Sequence, residues 1–374
     1  MPFPDEGNNG NKIIVDDIPI QNANIVKNNN DLEFNNRITK DDILTPESLT
    51  QLLISKNSQI LNIFEIKEFV DSGSESIVYK IINKKTQKPF IMKIIIIKNG
   101  EKRNISEFNI LNKLKNDNII SFYGINEIKK NELDCIIMEY GKFGNIKSFM
   151  KNVLKKDYIS ETLLCFFSYQ ILNGLKYCHK NKICHFDIKP YNIIIDDYLK
   201  AKIIDFSIAI DYSEINTKTI KLPFKGTNFY MAPEVMESKT INKKDLNKID
   251  LYSLGVTLYN LAFGTYPFGL NIEDIKDYGK IYYKIKNNKL EFDNRRNKFS
   301  IVFIDFLKKL LEKEIDKRIN INEALNHDWI KGANILIEEK EKICNISNFL
   351  IGVAIGGVLN FNEYLKNAAK KIVK

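Results

Sequence analysis

Histidine and cysteine are scarce in this chain of 374 residues, which has only 3 of the former and 5 of the latter. Two Cys-His dipeptides are present, Cys178-His179 and Cys184-His185, but a structural zinc site needs closely spaced ligand pairs and a second such pair elsewhere. The sequence therefore gives little support to zinc binding. The cysteines are odd in number and most lie in apolar or helix-like runs, which favours reduced thiols and a cytoplasmic or nuclear setting.

The sequence also lacks a membrane-spanning apolar run, a secretory signal and a concentrated basic segment. It contains no apolar run of the roughly 20 residues that a membrane-spanning helix needs. Its opening residues, Met-Pro-Phe-Pro-Asp-Glu, lack the basic and apolar regions of a secretory signal. Its 56 Lys and Arg residues against 47 Asp and Glu give a net charge of +9 that is scattered along the chain rather than gathered in one arm. We therefore expect no membrane span, no secretion and no nucleic-acid partner.

The composition is otherwise that of a globular protein, with 44% hydrophobic residues to fill one large domain or two of ordinary size. Residues 1–40 are rich in Asn and too polar to order, so we predict a disordered extension there. Residues 41–63 are a predicted helical lead-in. Thr45 is its predicted N-cap, Pro46 occupies the first turn, and Glu47 faces the positive end of the helix dipole.

Residues 331–374 are predicted to form a helical tail. Its apolar run Phe349–Leu359 carries Gly352 and Gly356 at the spacing that allows close helix packing. The run is too short to span a bilayer, so we interpret it as a helix that packs on the domain or docks on a protein partner. A membrane anchor in the tail is the alternative.

Between these segments the hydrophobic pattern changes from that of strands to that of helices. The predicted strands are Phe64–Val70, Ile77–Asn83, Phe90–Ile97, Ile119–Tyr123 and Cys135–Met138. Apolar residues recur at helical spacing over Glu101–Lys115, and the clearest long helices are predicted at Thr162–Cys178 and Ile249–Phe263. A small sheet-rich region therefore precedes a larger, mainly helical one.

The segment Ile183–Asn192 is the most informative in the chain, because it places an acid, a base and an amide in one short loop. Asp187 can accept the proton of an attacking hydroxyl, and Lys189 can neutralise charge on a migrating phosphoryl group. The amide of Asn192 can hold a metal ion. This spacing is typical of a phosphoryl-transfer catalytic loop, although the segment taken alone could be a polar turn.

Asp187, Lys189 and Asn192 match the His-Arg-Asp-x-Lys-x-x-Asn pattern of the serine/threonine branch of the eukaryotic protein kinases. The chain resembles this family from about Phe64 to Ile330. The resemblance implies ATP- and Mg²⁺-dependent transfer of the γ-phosphoryl group of ATP to Ser or Thr hydroxyls of protein substrates. It also implies an α+β, two-lobed protein kinase fold over residues 64–330, namely a small sheet-rich N-lobe (64–138), a hinge (139–141) and a larger helical C-lobe (142–330).

The resemblance assigns nucleotide binding to three segments. The lid over the ATP phosphates corresponds to Val70, Asp71, Ser72, Gly73, Ser74, Glu75, Ser76 and Val78, in which only the middle one of the usual glycines is present. Phe90-Ile91-Met92-Lys93 matches the family's Val-Ala-Ile-Lys strand, so Lys93 is implied to bind phosphates and to pair with Glu107. The residues implied to surround the adenine are Ile91, Met138, Glu139, Tyr140 and Gly141.

Two later motifs complete the resemblance. Asp205-Phe206-Ser207 matches Asp-Phe-Gly, so Asp205 and Asn192 are implied to hold Mg²⁺ through oxygen ligands. Gly226–Glu234 matches the segment that receives the peptide substrate. Within it, Thr227 is implied to contact the catalytic Asp and Lys, which favours Ser or Thr over Tyr as the acceptor.

Two more residues are implied to hold this machinery in place. Arg318 corresponds to a late arginine that forms a buried ion pair with Glu234. Asp250 corresponds to the acid that braces the catalytic loop. Both roles are structural rather than chemical.

The chain also departs from the family pattern at Asp71, Ser76, Phe186 and Ser207. Such departures leave a second reading open, a pseudokinase that acts as an ATP-binding or scaffold module. Phe186 replaces an arginine that pairs with a phosphate on the activation segment. We therefore hypothesise that activity is not strictly switched by phosphorylation of this segment.

Overall fold

The computed structural model describes residues 43–56, 58–73, 76–97, 106–129, 133–156, 158–292 and 299–332. The predicted disordered extension and the apolar run of the tail lie outside these residues. The described chain forms two compact units. The first contains the described residues up to 97 together with Phe122–Glu139, and the second contains residues 106–121 and those from 140 onwards.

The first unit consists of two short helices and one sheet. Its elements are α1 (Pro46–Ser55), α2 (Ile60–Ile63), β1 (Phe64–Ser72), β2 (Ser76–Asn83), β3 (Pro89–Ile96), β4 (Phe122–Lys129) and β5 (Leu133–Glu139). The five strands pair antiparallel in the order β1-β2-β3-β5-β4. The predicted N-cap of α1 is confirmed, because Oγ1 of Thr45 accepts a hydrogen bond from the Ser48 amide at 3.1 Å.

The helices of the first unit cover one face of its sheet. Tyr79 of β2 and Met92 and Ile94 of β3 share a buried cluster with Leu49 and Leu53 of α1. Side chains alternate between the two faces of a strand, so the intervening residues of β2 and β3 lie on the opposite face. The core of this unit therefore includes the predicted lead-in helix.

The second unit is mainly helical. Its helices are α3 (Ser106–Lys113), α4 (Ile146–Phe149), α5 (Glu161–Lys180), α6 (Pro233–Met236), α7 (Lys248–Phe263), α8 (Tyr278–Asn287), α9 (Ile301–Leu310) and α10 (Ile321–Leu325). Short antiparallel pairs join β6 (Ile183–Cys184) to β9 (Ile210–Asp211), β7 (Ile193–Ile195) to β8 (Ala201–Ile203), and β10 (Thr219–Lys221) to β11 (Thr240–Asn242). This unit also contains 3-10 helices at Pro190–Asn192 and Ile272–Lys276.

Helix α7 lies at the centre of the second unit. Every residue from Ile249 to Phe263 is buried, as expected for a helix that is apolar on all sides. A Cβ atom at Gly255 would lie 2.9 Å from the Cβ of Leu310, so glycine allows α7 and α9 to pack closely. Gly264, in the left-handed conformation at φ +74°, ends the helix.

The predicted order of strands and helices is confirmed, with shifts of a few residues at the ends. The strand predicted at Ile119–Tyr123 is wrong in its first part, because β4 begins at Phe122. Ile119 and Ile120 are instead buried in the second unit, where Ile119 forms a single bridge to Ile203. Their apolar character therefore reflects burial rather than strand pairing. None of the helices in the described ranges combines the length and apolar character needed to cross a bilayer.

Candidate active site

The predicted catalytic loop connects β6 to β7 in the second unit. Its backbone passes through Phe186 at φ +67°, a left-handed conformation that costs about 1 kcal/mol or more at a non-glycine residue. The amide of Phe186 donates to Oδ1 of Asp250 at 2.8 Å. On the other side, a Cβ atom at Gly226 would lie 3.0 Å from the Phe186 carbonyl oxygen, so a glycine permits this close approach. The strained turn is therefore held from two sides.

Asp187, Lys189 and Thr227 form a closed triangle of hydrogen bonds. Nζ of Lys189 lies 2.6 Å from Oδ2 of Asp187 and 2.8 Å from Oγ1 of Thr227. The Thr227 hydroxyl in turn donates to Oδ1 of Asp187 at 2.7 Å. Each member contacts the other two, so the carboxylate has a defined orientation and a cation beside it.

The side chain of Asn192 adds a third donor to Asp187. Its Nδ2 donates to the backbone oxygen and to Oδ2 of Asp187, both at 2.9 Å. The amide oxygen of Asn192 makes no hydrogen bond with any residue that the structure describes. It is the atom of this side chain that remains available to a cation, and hard divalent cations prefer oxygen ligands.

Asp205, the other predicted metal ligand, lies two residues after the end of β8. The Ile204 amide donates to the carbonyl oxygen of Asn192 at 3.0 Å, so both predicted ligands lie at the same end of the β7–β8 pair. Asp205 has a left-handed backbone with φ of +65°. A carboxylate and an amide oxygen placed in this way fit Mg²⁺ in the type of donor atom.

His185 connects the loop to the segment that leads to Asp205. Its Nδ1 accepts a hydrogen bond from the Asp187 amide at 3.2 Å. The proton of the neutral ring therefore resides on Nε2, which contacts the Ile204 carbonyl oxygen at 3.0 Å. The ring also packs edge-on against Phe206, with ring centroids 4.8 Å apart. His185 corresponds to the histidine of the family motif, but this positioning role was not predicted from the sequence.

Asp250 braces the loop, as the resemblance implied. Its fully buried carboxylate accepts hydrogen bonds from the amides of His185 and Phe186 at 3.0 and 2.8 Å, and Nε2 of His179 lies 2.8 Å away. Burial opposes the charged form of Asp250, but the hydrogen bond from His179, the electrostatic effect of His179 and His185 and the His185 amide outweigh it, so the pKa of the carboxyl lies below its usual range. The anion therefore persists without solvent.

Asp250 belongs to a polar stripe on the otherwise apolar helix α7. Ser253 donates to the Tyr230 carbonyl at 2.8 Å, and Thr257 donates to the Ile188 carbonyl at 3.1 Å. The three residues recur at helical spacing, so one edge of α7 holds both the catalytic loop and the acceptor segment. Ser253 and Thr257 were missed from the sequence, although polar residues at this spacing in an apolar helix were a usable signal.

The acceptor segment ends at the buried ion pair predicted between Glu234 and Arg318. Two guanidinium nitrogens of Arg318 contact the two carboxylate oxygens of Glu234 at 2.6 and 3.0 Å. The guanidinium also donates to the carbonyls of Glu312 and Lys248 and stacks on the Tyr252 ring. Two hydrogen bonds join the two charged groups, and both groups are buried. This contact therefore has a structural role and holds the end of the acceptor segment in place.

The first unit carries most of the predicted nucleotide-binding residues. Lys93 is largely buried in β3 and pairs in register with Val78 of β2, while Ile91 pairs with Met138 of β5. By strand alternation, these four side chains share the face of the sheet opposite to α1. An ammonium group on this apolar face needs an anionic partner.

The lid residues lie at the turn between β1 and β2. Val70, Asp71 and Ser72 end β1, and Ser76 opens β2. The Gly73 amide donates to the Ser76 carbonyl at 2.9 Å, which closes the turn. Ser74 and Glu75 lie outside the described residues.

The remaining predicted residues are divided between the units. Glu139 ends β5 in the first unit, whereas Tyr140 and Gly141 belong to the second. Glu107 is buried in α3 of the second unit. Its pairing with Lys93, and the contacts of the adenine-binding residues, stay predictions.

Comparison with known proteins gives the same family as the motifs. The model of the protein kinase domain matches residues 64–330. Death-associated protein kinase 2 of Homo sapiens is 30% identical over 311 residues, which are 79% of this chain and 79% of that protein. The serine/threonine-protein kinases pakE and pakH of Dictyostelium discoideum are each 30% identical over 72% of this chain. The match covers 28% of pakE and 50% of pakH, so the chain corresponds to half or less of these two relatives.

The fold agrees with this match, because a five-stranded antiparallel sheet is followed by a mainly helical unit. The family model also covers the whole stretch from β1 to the end of the described helical unit. The chain therefore belongs to the protein kinase family.

Proposed function

We propose that the chain is an ATP- and Mg²⁺-dependent serine/threonine protein kinase that phosphorylates protein substrates. The strongest support is the hydrogen-bonded triangle of Asp187, Lys189 and Thr227. A polar turn has no need for a lysine and a threonine, distant in sequence, to converge on one carboxylate. A carboxylate at this position can accept the proton of a Ser or Thr hydroxyl, which is the group that such a kinase phosphorylates.

In this proposal Asp187 orients the acceptor hydroxyl and accepts its proton. Lys189, already 2.6 Å from Oδ2 of Asp187, stabilises negative charge on the transferred phosphoryl group. Thr227 holds the two groups together. Because the groups are positioned in advance, the protein needs little rearrangement when the substrate binds.

We propose the following residues for binding of ATP and its metal ion. Lys93 and the lid residues Val70–Val78 bind its phosphates, and Ile91, Met138 and the 139–141 backbone bind adenine. Asn192 and Asp205 are the proposed ligands of Mg²⁺, which when bound offsets the charge of the phosphates. Lys93 occupies the position of the lysine in the family's Val-Ala-Ile-Lys strand, which supports its assignment to the phosphates.

We also propose a cytoplasmic or nuclear setting. Among the cysteines that the structure describes, all are buried and none forms a disulfide. Burial, together with the charge of Asp250, raises the pKa of the Cys184 thiol well above its usual value. This thiol therefore stays protonated and unreactive, which suits a reducing compartment.

The pseudokinase alternative rests on four departures from the family pattern, which are Asp71 and Ser76 in the lid, Phe186 in the catalytic loop and Ser207 after Asp205. To test the proposal, the full chain is incubated with casein and ATP labelled in the γ-phosphate, with Mg²⁺ or with EDTA. We expect Mg²⁺-dependent labelling, and phosphoserine and phosphothreonine but no phosphotyrosine after hydrolysis. Binding of ATP without any transfer would favour the scaffold, and phosphotyrosine would contradict the acceptor assignment.

A further inference from the structure

Four large apolar side chains are exposed beside the acceptor segment. Phe224, Ile272, Ile275 and Tyr278 expose 47%, 76%, 44% and 44% of their surface, and we call them the acceptor-side patch. Phe224 lies three residues before Thr227, whose hydroxyl contacts Asp187. Exposed apolar side chains that cluster in this way are typical of protein-binding surfaces.

Residues 224–228 contact residues 275–278 through two interactions. The rings of Phe224 and Tyr278 meet edge-on, with centroids 5.1 Å apart. Nδ2 of Asn228 donates to the Ile275 carbonyl oxygen at 2.8 Å. The acceptor segment and the Ile272–Lys276 segment therefore present one continuous surface.

The Ile272–Lys276 segment reverses the usual distribution of apolar and charged side chains. Asp274 is fully buried, whereas Ile272 and Ile275 face solvent. The Asp274 carboxylate is held by Nζ of Lys284 at 2.6 Å, Nζ of Lys280 at 2.7 Å and the amide of Asn271 at 2.9 Å. Side chains three residues apart in a 3-10 helix lie on the same side, so the two isoleucines form one apolar face. The anchoring of Asp274 keeps that face outward, which indicates a role other than core packing.

Positive charge surrounds the patch. The charged residues of segments 221–228 and 271–284 are Lys221, Lys225, Lys276, Lys280 and Lys284 against Glu273, Asp274 and Asp277. Lys280 and Lys284 are paired with Asp274. Lys221, Lys225 and Lys276 are exposed and form no ion pair with other described residues. Glu273 and Asp277 offset part of this charge, and the balance is positive.

We propose that the acceptor-side patch binds the part of a protein substrate next to its phosphorylated Ser or Thr, and that this part combines an apolar side chain with acidic ones. The proposal rests on the proposed function, because Phe224 is continuous with the loop that carries Thr227. The apolar side chain contacts Phe224 and the two isoleucines. The acidic side chains meet Lys221, Lys225 and Lys276, which form no ion pair within the described part of the chain.

Binding can be measured without turnover. The full-length chain carrying Asp187→Asn is titrated onto a fluorescein-labelled peptide in which a serine is flanked on both sides by leucine and two glutamates. Two control peptides replace the glutamates by lysines or the leucines by alanines. Fluorescence anisotropy should give a Kd about tenfold lower for the first peptide than for the lysine peptide, and about fivefold lower than for the alanine peptide.

Surface variants of the same chain assign that preference to the patch. Ile272→Ser combined with Ile275→Ser should remove the preference for leucine over alanine. Ile301→Ser changes an isoleucine that is 86% exposed on α9 and should leave the preference intact. Equal affinity for all three peptides, or an equal loss in Ile301→Ser, would show the proposal to be wrong.

Two further measurements separate the alternatives. If sedimentation shows that the double variant converts a dimer into a monomer, the patch joins two copies of the chain and the proposal is overturned. If the wild-type chain binds the leucine-glutamate peptide selectively but never phosphorylates it with ATP and Mg²⁺, the docking surface stands and the proposed function fails.

Discussion

Thr227 is the residue that links the acid and the base of the proposed active site. Thr227→Ala removes a donor to Asp187 and an acceptor for Lys189, so we expect kcat for casein to fall about 10- to 100-fold. The melting temperature should change little, because Thr227 is only partly buried. Thr227→Ser keeps the hydroxyl and should retain activity within about threefold. An alanine variant with normal kcat would mean that the triangle has no part in catalysis.

Phe186 is expected to affect regulation by phosphorylation but not the position of the catalytic residue Asp187. It is 3% exposed and has a left-handed backbone, whose amide donates to Asp250 and whose carbonyl oxygen closely approaches Gly226. These contacts do not depend on the identity of the side chain. We therefore expect the replacement of the family's arginine to leave the position of Asp187 unchanged and to remove the guanidinium that the resemblance assigns to phosphate binding.

Helix α1 is an integral part of the first unit, although the family match begins at residue 64. Leu53 is fully buried against the sheet, whereas its neighbour Ile54 is 62% exposed. Leu53→Ala should lower the free energy of unfolding by about 2–5 kcal/mol, and Ile54→Ala by less than about 0.5 kcal/mol. Urea unfolding followed by circular dichroism measures both values. Equal, small effects would show that α1 does not contribute to the core.

Tyr79 supports the same conclusion from the sheet. Its hydroxyl donates to the Ile43 carbonyl oxygen inside the cluster. Burial, together with the charge of Glu47, raises the pKa of Tyr79 to about 12. The residues just before α1 therefore also belong to the folded first unit.

The activation segment, residues 205–234, forms backbone hydrogen bonds with the chain that follows it. Strand β10 pairs with β11, the Leu222 amide donates to the Lys239 carbonyl at 2.8 Å, and the Lys243 amide donates to Lys218 at 2.9 Å. Leu222 is buried beside this ladder. These contacts order this part of the segment without a phosphate, as the hypothesis based on Phe186 requires.

Removal of the phosphorylatable side chains tests this hypothesis. The triple variant Ser213→Ala, Thr217→Ala, Thr219→Ala should retain kcat within about threefold, because all three side chains are exposed and none contacts Asp187. The assay is casein phosphorylation, with circular dichroism to confirm folding. Loss of activity in a folded triple variant would mean that phosphorylation is required.

The sequence predicted those parts of the fold that depend on local pattern. The N-cap at Thr45, the order of strands and helices, and the residues of the catalytic loop all follow from short spacings. Contacts between distant segments were harder to predict, because periodicity does not name a partner. The roles of His185 and Thr257 depend on such contacts. Ile119 was assigned to a strand because buried loops and buried strands share the same apolar residues.

We expect acid to destabilise the whole molecule, because two buried carboxyl groups have a lower pKa in the folded protein than in the unfolded chain. The hydrogen bonds from Lys280 and Lys284 hold the pKa of Asp274 well below its usual range, and the pKa of Asp250 is lowered as well. A carboxyl with a lower pKa when folded stabilises the protein above its unfolded pKa of about 4. This contribution is lost as the pH falls towards the folded value.

We therefore expect a melting temperature that is steady near neutral pH and falls below about pH 5. Asp274→Asn should be less stable at pH 7 and should show a smaller fall between pH 7 and about pH 3.5, because the titrating group is gone. Scanning fluorimetry across this range measures the difference. An identical fall in the variant would mean that Asp274 does not contribute to acid stability.

The proposed function depends above all on Asp187 as the group that accepts the proton of the acceptor hydroxyl. The most direct measurement compares wild type with Asp187→Asn in two assays, binding of a fluorescent ATP analogue and Mg²⁺-dependent transfer of phosphate to casein. We predict that binding changes less than about threefold while transfer falls at least about 100-fold. Equal transfer by the two proteins, or none by wild type above an EDTA control, would contradict the claim.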